Sequence, residues 1–414
     1  MLKKAFIDKI GTSPKTAVAS IVLLANAFVW YFYATRFLTD SLNSASFAGS
    51  SVLAVWGANI LGTAVSAFLG VFIINRFKKR VAFLKGWLLA GVFFSLTLLA
   101  VDVTGFNTMM VFSTLVGVYF GLGVPVAFGY FAASTEAKNR SRIGGITFTA
   151  IFGLIFLLRS FGITDVILSS LVLASLQAAG LVITFLIKPE EKEVAPRDKV
   201  SYRLIFTNKT FLLYFVPWIM FSVVNYMAAP IVSGLFPADF FLFFTMFENV
   251  LAAVFTVIFG FLGDYFGRKR LVVVGFVLMG LGYASLGLFQ NEVFGWWFYT
   301  VVDGVAWGVF YTIFFMTIWG DIAQEKSSEK YYLLGSLPFL ALVFMQLSLG
   351  NYVASIVSRE AVFSFASLFL FLAVLPLVYA PETLPDKITK DRELKSYMEK
   401  AQRARMLSES EEHS

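Results

Sequence analysis

Residues 260–270 read G-F-L-G-D-Y-F-G-R-K-R. Long apolar runs flank them on both sides, so the stretch is predicted to form a short turn at a membrane face. Three cations follow one another (Arg268, Lys269, Arg270), and one acid, Asp264, stands among three glycines (Gly260, Gly263, Gly267). Glycines let a helix end approach a neighbour closely. The acid can pair with an arginine or face the positive N-terminus of an adjacent helix. A turn built this way can latch two helices in one conformation and release them in another.

The rest of the chain supports a membrane setting. Of 414 residues, 58% are hydrophobic and 14% charged, with a mean hydropathy of +0.78, which is too apolar for a soluble chain of this length. There is no cysteine, and the one histidine, His413, lies in the tail. Disulfides, thiolate metal sites and Cys or His catalysis within the membrane are therefore excluded. No G-x-x-x-x-G-K-[ST] loop for nucleotide phosphates is present. The expectation is a protein that is not an enzyme and needs neither metal nor cofactor.

Twelve apolar runs are each long enough to cross ~30 Å of hydrocarbon. They fall near 16–37, 48–74, 81–101, 108–133, 143–163, 166–187, 210–233, 240–263, 271–289, 294–320, 332–357 and 361–380. Thirty of the 33 lysines and arginines cluster on one side of this map; Arg36, Arg159 and Arg359 fall at the opposite helix ends. That asymmetry puts both termini in the cytoplasm and explains the net charge of +7 by topology, without a nucleic-acid partner.

The chain also repeats itself. The polar segment 188–209 splits the helices six and six, giving an N-terminal bundle (1–187), a linker (188–209), a C-terminal bundle (210–380) and a cytoplasmic tail (381–414). Residues 70–80, G-V-F-I-I-N-R-F-K-K-R, are the counterpart of the opening stretch at an offset of 190. They keep Gly70, Lys78, Lys79 and Arg80 but have Ile74 in place of the acid and Phe77 in place of the glycine. Asn59 and Asn249 each stand eleven residues before their motif's first glycine, and helices 4 and 10 each carry a G-x-x-x-G (Gly117/Gly121 and Gly304/Gly308). The predicted fold is an all-α membrane protein of twelve transmembrane helices in two pseudo-symmetric six-helix bundles, a plan expected of secondary transporters.

The stretch 260–270 closely resembles the signature loop of the major facilitator superfamily, G-x-x-x-D-x-x-G-R-[RK]-[RK]; Gly260, Asp264, Gly267, Arg268, Lys269 and Arg270 meet every defined position. The resemblance extends over about 16–380. It implies two bundles rocking around a central site lined by helices 1, 2, 4, 5, 7, 8, 10 and 11. It also implies a gating loop in each half, with Asp264 and Arg268 holding one side closed against helix 5. Sugar-porter-like features are weaker. Pro189-Glu190 follows helix 6, Pro381-Glu382-Thr383 follows helix 12, and Glu136 with Arg140 or Arg142 follows helix 4. The glutamine cluster those porters carry on helix 7 is missing, and Asn225 and Tyr226 stand there instead.

Two acids fall inside predicted spans, Glu248 on helix 8 and Asp303 on helix 10. A mid-bilayer charge costs ~2.5–3.5 kcal/mol on insertion scales and is a functional candidate by default. Both are proton-coupling candidates; a static network with Asn249, Tyr283 or Tyr299, or direct contact with a cationic substrate group, is the alternative. Candidate cavity residues are Asn26, Arg36, Asn59, Arg159, Asn225, Tyr226, Asn249, Trp307, Tyr311 and Gln346. Arg36 and Arg159 can instead snorkel and pair with Asp40 and Asp165, and Trp307 with Tyr311 can be core packing. Pro125 and Pro217 can kink helices 4 and 7. The tail could lay a basic amphipathic helix on Leu394, Met398 and Ala401 against the membrane.

The reading is a cell-membrane secondary transporter that moves a small organic solute by alternating access with protons as partner. It is a monomer bounded by the lipid bilayer. A passive sugar or solute facilitator, or a non-transporting sensor with a transporter fold, are the alternatives.

Overall fold

The computed structural model describes residues 14–385 except 46, 101, 103, 164, 192–199 and 325–326, together with residue 398. Twelve helices in it are long and apolar enough to cross a membrane. We number them α1 (Pro14–Ser44), α2 (Gly49–Phe77), α3 (Arg80–Thr97), α4 (Phe106–Ser134), α5 (Arg140–Ser160) and α6 (Val166–Ile187). The second six are α7 (Lys209–Ser233), α8 (Ala238–Phe266), α9 (Arg268–Phe289), α10 (Val293–Phe310, continuing to Ala323), α11 (Ser328–Ile356) and α12 (Arg359–Leu372, continuing to Tyr379). The two sets form two pseudo-symmetric six-helix bundles. The tail helix expected on Leu394, Met398 and Ala401 lies outside the described residues except Met398.

Several helix starts are set by short polar side chains that accept an orphan backbone N–H. Asp165 caps α6 through Leu168 N at 2.8 Å, Asn208 caps α7 through Phe211 N at 3.3 Å, and Ser358 caps α12 through Ala361 N at 3.3 Å. In the linker, Ser201 caps a short helix, Tyr202–Thr207.

Three spans differ from the sequence expectation. First, α1 runs to Ser44 rather than ending near Phe37. Arg36 with Asp40 resembles an end signal, but the two sit one turn apart at 3.6 Å inside the helix, and Leu42 beyond them is buried. Second, the motif 260–270 is not an eleven-residue turn. Helix α8 continues through Asp264 to Phe266, and Gly267 alone separates it from α9. Gly267 has φ +95°, and a Cβ there would collide with the Glu382 carboxylate. In the first half the junction is two residues, Lys78 and Lys79, and the positive φ of 64° falls on Lys78. Third, α10 contains a π-helical segment, Tyr311–Ile318, in which Thr317 Oγ1 donates to Thr312 O at 2.7 Å.

The paired G-x-x-x-G motifs do matching work. Gly117 and Gly121 on α4 lie under the backbone carbonyls of Asn59 and Thr63 on α2. Gly304 and Gly308 on α10 lie against Glu248, Leu251 and Phe255 on α8. The same helix pair is closed in each bundle by backbone approach that any side chain would block. Three of the buried tryptophans donate across to neighbouring elements, as buried indoles often do. Trp30 Nε1 donates to Ser95 Oγ at 2.9 Å, Trp87 to Tyr119 O at 2.8 Å and Trp218 to Gly335 O at 2.8 Å.

Candidate functional site

The lysine- and arginine-rich connections collect on one face, here the basic face. There the two bundles are joined by buried charges. Arg268, fully buried at the start of α9, donates from Nε to Asp321 Oδ2 at 2.9 Å and from Nη1 to Gly263 O at 2.8 Å. Asp321 Oδ1 takes Arg140 Nη1 from the start of α5. Arg140 also donates to Ala132 O and Thr135 O, each at 2.9 Å. One carboxylate of the second bundle thus holds an arginine from each bundle.

Asp264 reaches across the same seam. It accepts the backbone N–H of Ser141 and of Arg142, each at 3.1 Å, and Arg142 Nε at 3.3 Å. It therefore sits at the positive N-terminus of α5. On the other seam, Arg80 Nε lies 2.6 Å from Glu329 Oε1, and both side chains are buried. Asp321 and Glu329 are paired with these arginines. Lys330 donates to Val200 O at 2.7 Å.

Two further acids brace this face in parallel. Glu382 accepts the N–H groups of Arg268 (2.8 Å) and Lys269 (3.1 Å), capping α9. Glu191 accepts those of Val81 (2.9 Å) and Ala82 (3.2 Å), capping α3. After helix 12 the acid of Pro381-Glu382 itself thus holds a neighbouring helix start, while after helix 6 it is Glu191, the residue following Pro189-Glu190, that does so. Of the other motif residues, Gly70 packs on the Leu122 carbonyl and Gly260 on Ser141 and Arg142, while Lys78, Lys79 and Arg270 are exposed.

Above the latches lies a cavity of about 1140 Å³, walled by α1, α2, α4, α5, α7, α8, α10 and α11. Rings dominate it: Phe28, Phe120, Phe148, Phe152, Phe315 and Phe339. Tyr31 stacks on Phe120 at 3.9 Å, and Tyr311 stacks on Trp307 at 4.8 Å. The polar wall is sparse, with Tyr31, Thr35, Thr63, Thr149, Tyr226, Thr245, Asn249, Tyr311 and Ser336. Arg159 is the single charged residue on the wall among the described residues.

The sequence candidates divide accordingly. Arg159, Tyr226, Asn249 and Tyr311 line the cavity; Asn26, Arg36, Asn59, Asn225, Trp307 and Gln346 do not. Asn26 Nδ2 donates to Leu176 O on α6. Asn59 is buried behind the wall, accepting Tyr31 Oη at 2.7 Å and donating to Ser113 O at 2.8 Å. Arg36 pairs with Asp40. Tyr31 and the threonines were not singled out from the sequence. Nothing in their local pattern separates a cavity-facing hydroxyl from one that bonds its own helix, as Thr35 Oγ1 does to Tyr31 O at 2.8 Å.

Glu248 and Asp303 meet behind the wall. Their carboxyl groups lie close enough to influence each other, and two neighbouring carboxylates taken out of water resist being ionised together. Asp303 is buried, and its Oδ1 has no hydrogen-bond partner among the described residues. Tyr283 and Tyr299, with rings 5.4 Å apart, close the far side. Asp303, Trp307 and Tyr311 share a face of α10 at one-turn spacing, so the pair lies ~12 Å along the helix from the cavity tyrosine. Asn249, beside Glu248, is a wall residue.

No protein-family model matches the chain, and no curated protein matches it. Solved structures do. A proton:xylose symporter, XylE, bound to 6-bromo-6-deoxy-D-glucose superposes with a TM-score of 0.67 at 16% identity, covering 89% of this chain and 96% of that one. A double-tryptophan variant of XylE gives 0.65 at 16% identity, covering 92% and 99%. The human organic anion transporter MFSD10 gives 0.64 at 13% identity, covering 88% and 100%. With twelve membrane-spanning helices in two related bundles, this chain has the fold of the major facilitator superfamily.

Proposed function

We propose that the protein is a secondary transporter that carries a small organic solute across the cell membrane by alternating access, with protons as the coupling ion. One observation carries the reading. A cavity between two bundles is sealed on the basic face by inter-bundle ion pairs and extends toward the opposite face, where Thr35 and Arg159 line it. A site closed on one side by breakable contacts is what alternating access requires. The basic face is the cytoplasmic one by the positive-inside rule, with both termini there and the chain working as a monomer.

The Glu248–Asp303 pair is the proposed proton carrier. A carboxyl pair that shares one proton changes charge when a neighbour rearranges. Tyr311 and Asn249 link its surroundings to the cavity wall. The second reading, a passive facilitator, is favoured by the absence of both acids from that wall. Sugars fit the walls poorly, because a sugar needs many hydroxyl partners.

Purified protein in proteoliposomes, offered sugars, organic acids, amino acids and lipophilic cations with and without an inward proton gradient, tests the proposal. Gradient-stimulated uptake of one class supports it. Gradient-indifferent uptake leaves a facilitator, and no uptake of any class leaves a sensor.

A further inference from the structure

The fold contains two equivalent seams between the bundles, α2 against α11 and α5 against α8. In this chain they are not equally closed. The α2–α11 seam is packed by Ala67, Val71 and Leu333, and at the basic face Arg80, the first residue of α3 just past α2, latches to Glu329 on α11. It meets again nearer the opposite face, where a Cβ on Gly57 would lie 3.2 Å from the Phe344 ring.

The α5–α8 seam is closed in its basic half only. Asp264 caps α5, Gly145 lies against the Thr256 carbonyl, and Thr149 Oγ1 donates to Ala253 O at 2.9 Å. Beyond Thr149 and Ala253, no hydrogen bond, ion pair or ring contact joins the two helices among the described residues. Gly153 has nothing within 4 Å of its Cβ direction. The facing side chains are apolar and open: Phe156 is 55% exposed, Val250 49% and Val254 51%, and all three line the cavity. Such a surface in a membrane-spanning segment is satisfied by hydrocarbon and not by water.

At the top of the gap stands Arg159, about two turns along α5 from Gly153 and one residue from the helix end. It has no ion-pair partner among the described residues. A guanidinium at the interface above an apolar slot has the shape of an amphiphile lying in one leaflet. Arginine binds carboxylate, sulfate or phosphate oxygens in a two-point fork and repels cations.

We infer that the cavity takes a single-chain amphiphile with an acidic headgroup, loaded from the bilayer through the α5–α8 gap with the headgroup on Arg159. The inference rests on the transporter reading for its purpose, but it is tested by binding, which needs no flux. The chain has no cysteine, so a Val250→Cys variant in lipid nanodiscs reports on the gap through its rate of maleimide labelling. A Leu157→Cys variant, exposed but off the cavity wall, reports on plain lipid. Dodecanoate is the probe.

Dodecanoate is expected to slow labelling at Val250→Cys at least fivefold and to leave Leu157→Cys unchanged, while dodecyltrimethylammonium protects neither. Arg159→Gln raises the half-protecting concentration at least tenfold, and Arg159→Lys largely restores it. Gly153→Trp, or Gly153→Leu should the larger ring misfold, slows the onset of protection without changing its final level. The onset follows the mole fraction of dodecanoate in the bilayer. Equal protection at both cysteines, equal protection by the cation, or indifference to Arg159→Gln overturns the site. Onset that tracks free aqueous dodecanoate, or ignores both Gly153 variants, overturns the route.

Discussion

Arg80 and Glu329 stand 249 residues apart in the chain and 2.6 Å apart in space, both buried. Their contact joins the bundles on one seam, as Asp264 with Arg142 does on the other. The closed basic face is thus held at both seams, with Asp321 between them.

Asp321 is the joint whose loss should be felt most. Asp321→Asn leaves Arg140 and Arg268 buried without their shared counter-charge. Removing one partner of a buried pair costs ~3–5 kcal/mol. We expect the closed basic face to lose most of its population. Spin labels on single cysteines at the basic ends of α4 and α10, in the naturally cysteine-free chain, measure this. Unchanged distance distributions would falsify the latch.

The acid pair gives a prediction separable from gating. Glu248→Gln and Asp303→Asn are each expected to abolish gradient-driven uptake while leaving substrate exchange across the same liposomes intact. Each variant removes the shared proton's exchange but keeps a hydrogen-bonding group of the same shape. Loss of exchange along with uptake would mean that the pair only packs α8 against α10.

The two helix junctions predict opposite signs. Gly267→Ala forces a side chain into φ +95° against Glu382 and should cost ~1–3 kcal/mol. Lys78→Gly relieves a left-handed lysine at φ 64° and should range from neutral to a gain of ~1 kcal/mol. Thermal unfolding in detergent, read by intrinsic tryptophan fluorescence, compares them. A loss for both variants would contradict the conformational account.

Glu191 and Glu382 cap α3 and α9 in equivalent places. Each Glu→Ala change should lower stability by ~0.5–2 kcal/mol, with similar values for the two. The double variant should show additive losses, since the caps share no partner. A large difference between the two singles would show that only one half depends on its brace.

Much of this architecture was legible in the residues. Length and apolarity of the runs found all twelve spans, because hydrocarbon thickness leaves little freedom. Helix ends were harder. Arg36 and Asp40 resemble an end signal and also make an ordinary one-turn pair inside α1. The flanking apolar runs suggest a short turn over 260–270, whereas the helix continues through most of it and Gly263 is accommodated within α8 against Ser141. At the cavity, Tyr226, Asn249, Tyr311 and Arg159 were findable as polar groups on lining helices. Asn26 and Asn59 carry the same signal yet turn toward neighbouring helices, and only the packing separates these cases. The asymmetry of the two seams has no local signature, because it depends on where two distant helices diverge.

The π-helical segment of α10 carries a mechanical consequence. Its wider turns offset everything after Tyr311 in phase relative to everything before it. Wind the same residues as a plain α-helix, with nothing deleted, and Asp321 would be turned far around the axis relative to Tyr311. The carboxylate would then point away from Arg140 and Arg268 whenever the tyrosine faced the cavity. The winding of α10 therefore gears the cavity wall to the lock: a twist at either end must be delivered to the other.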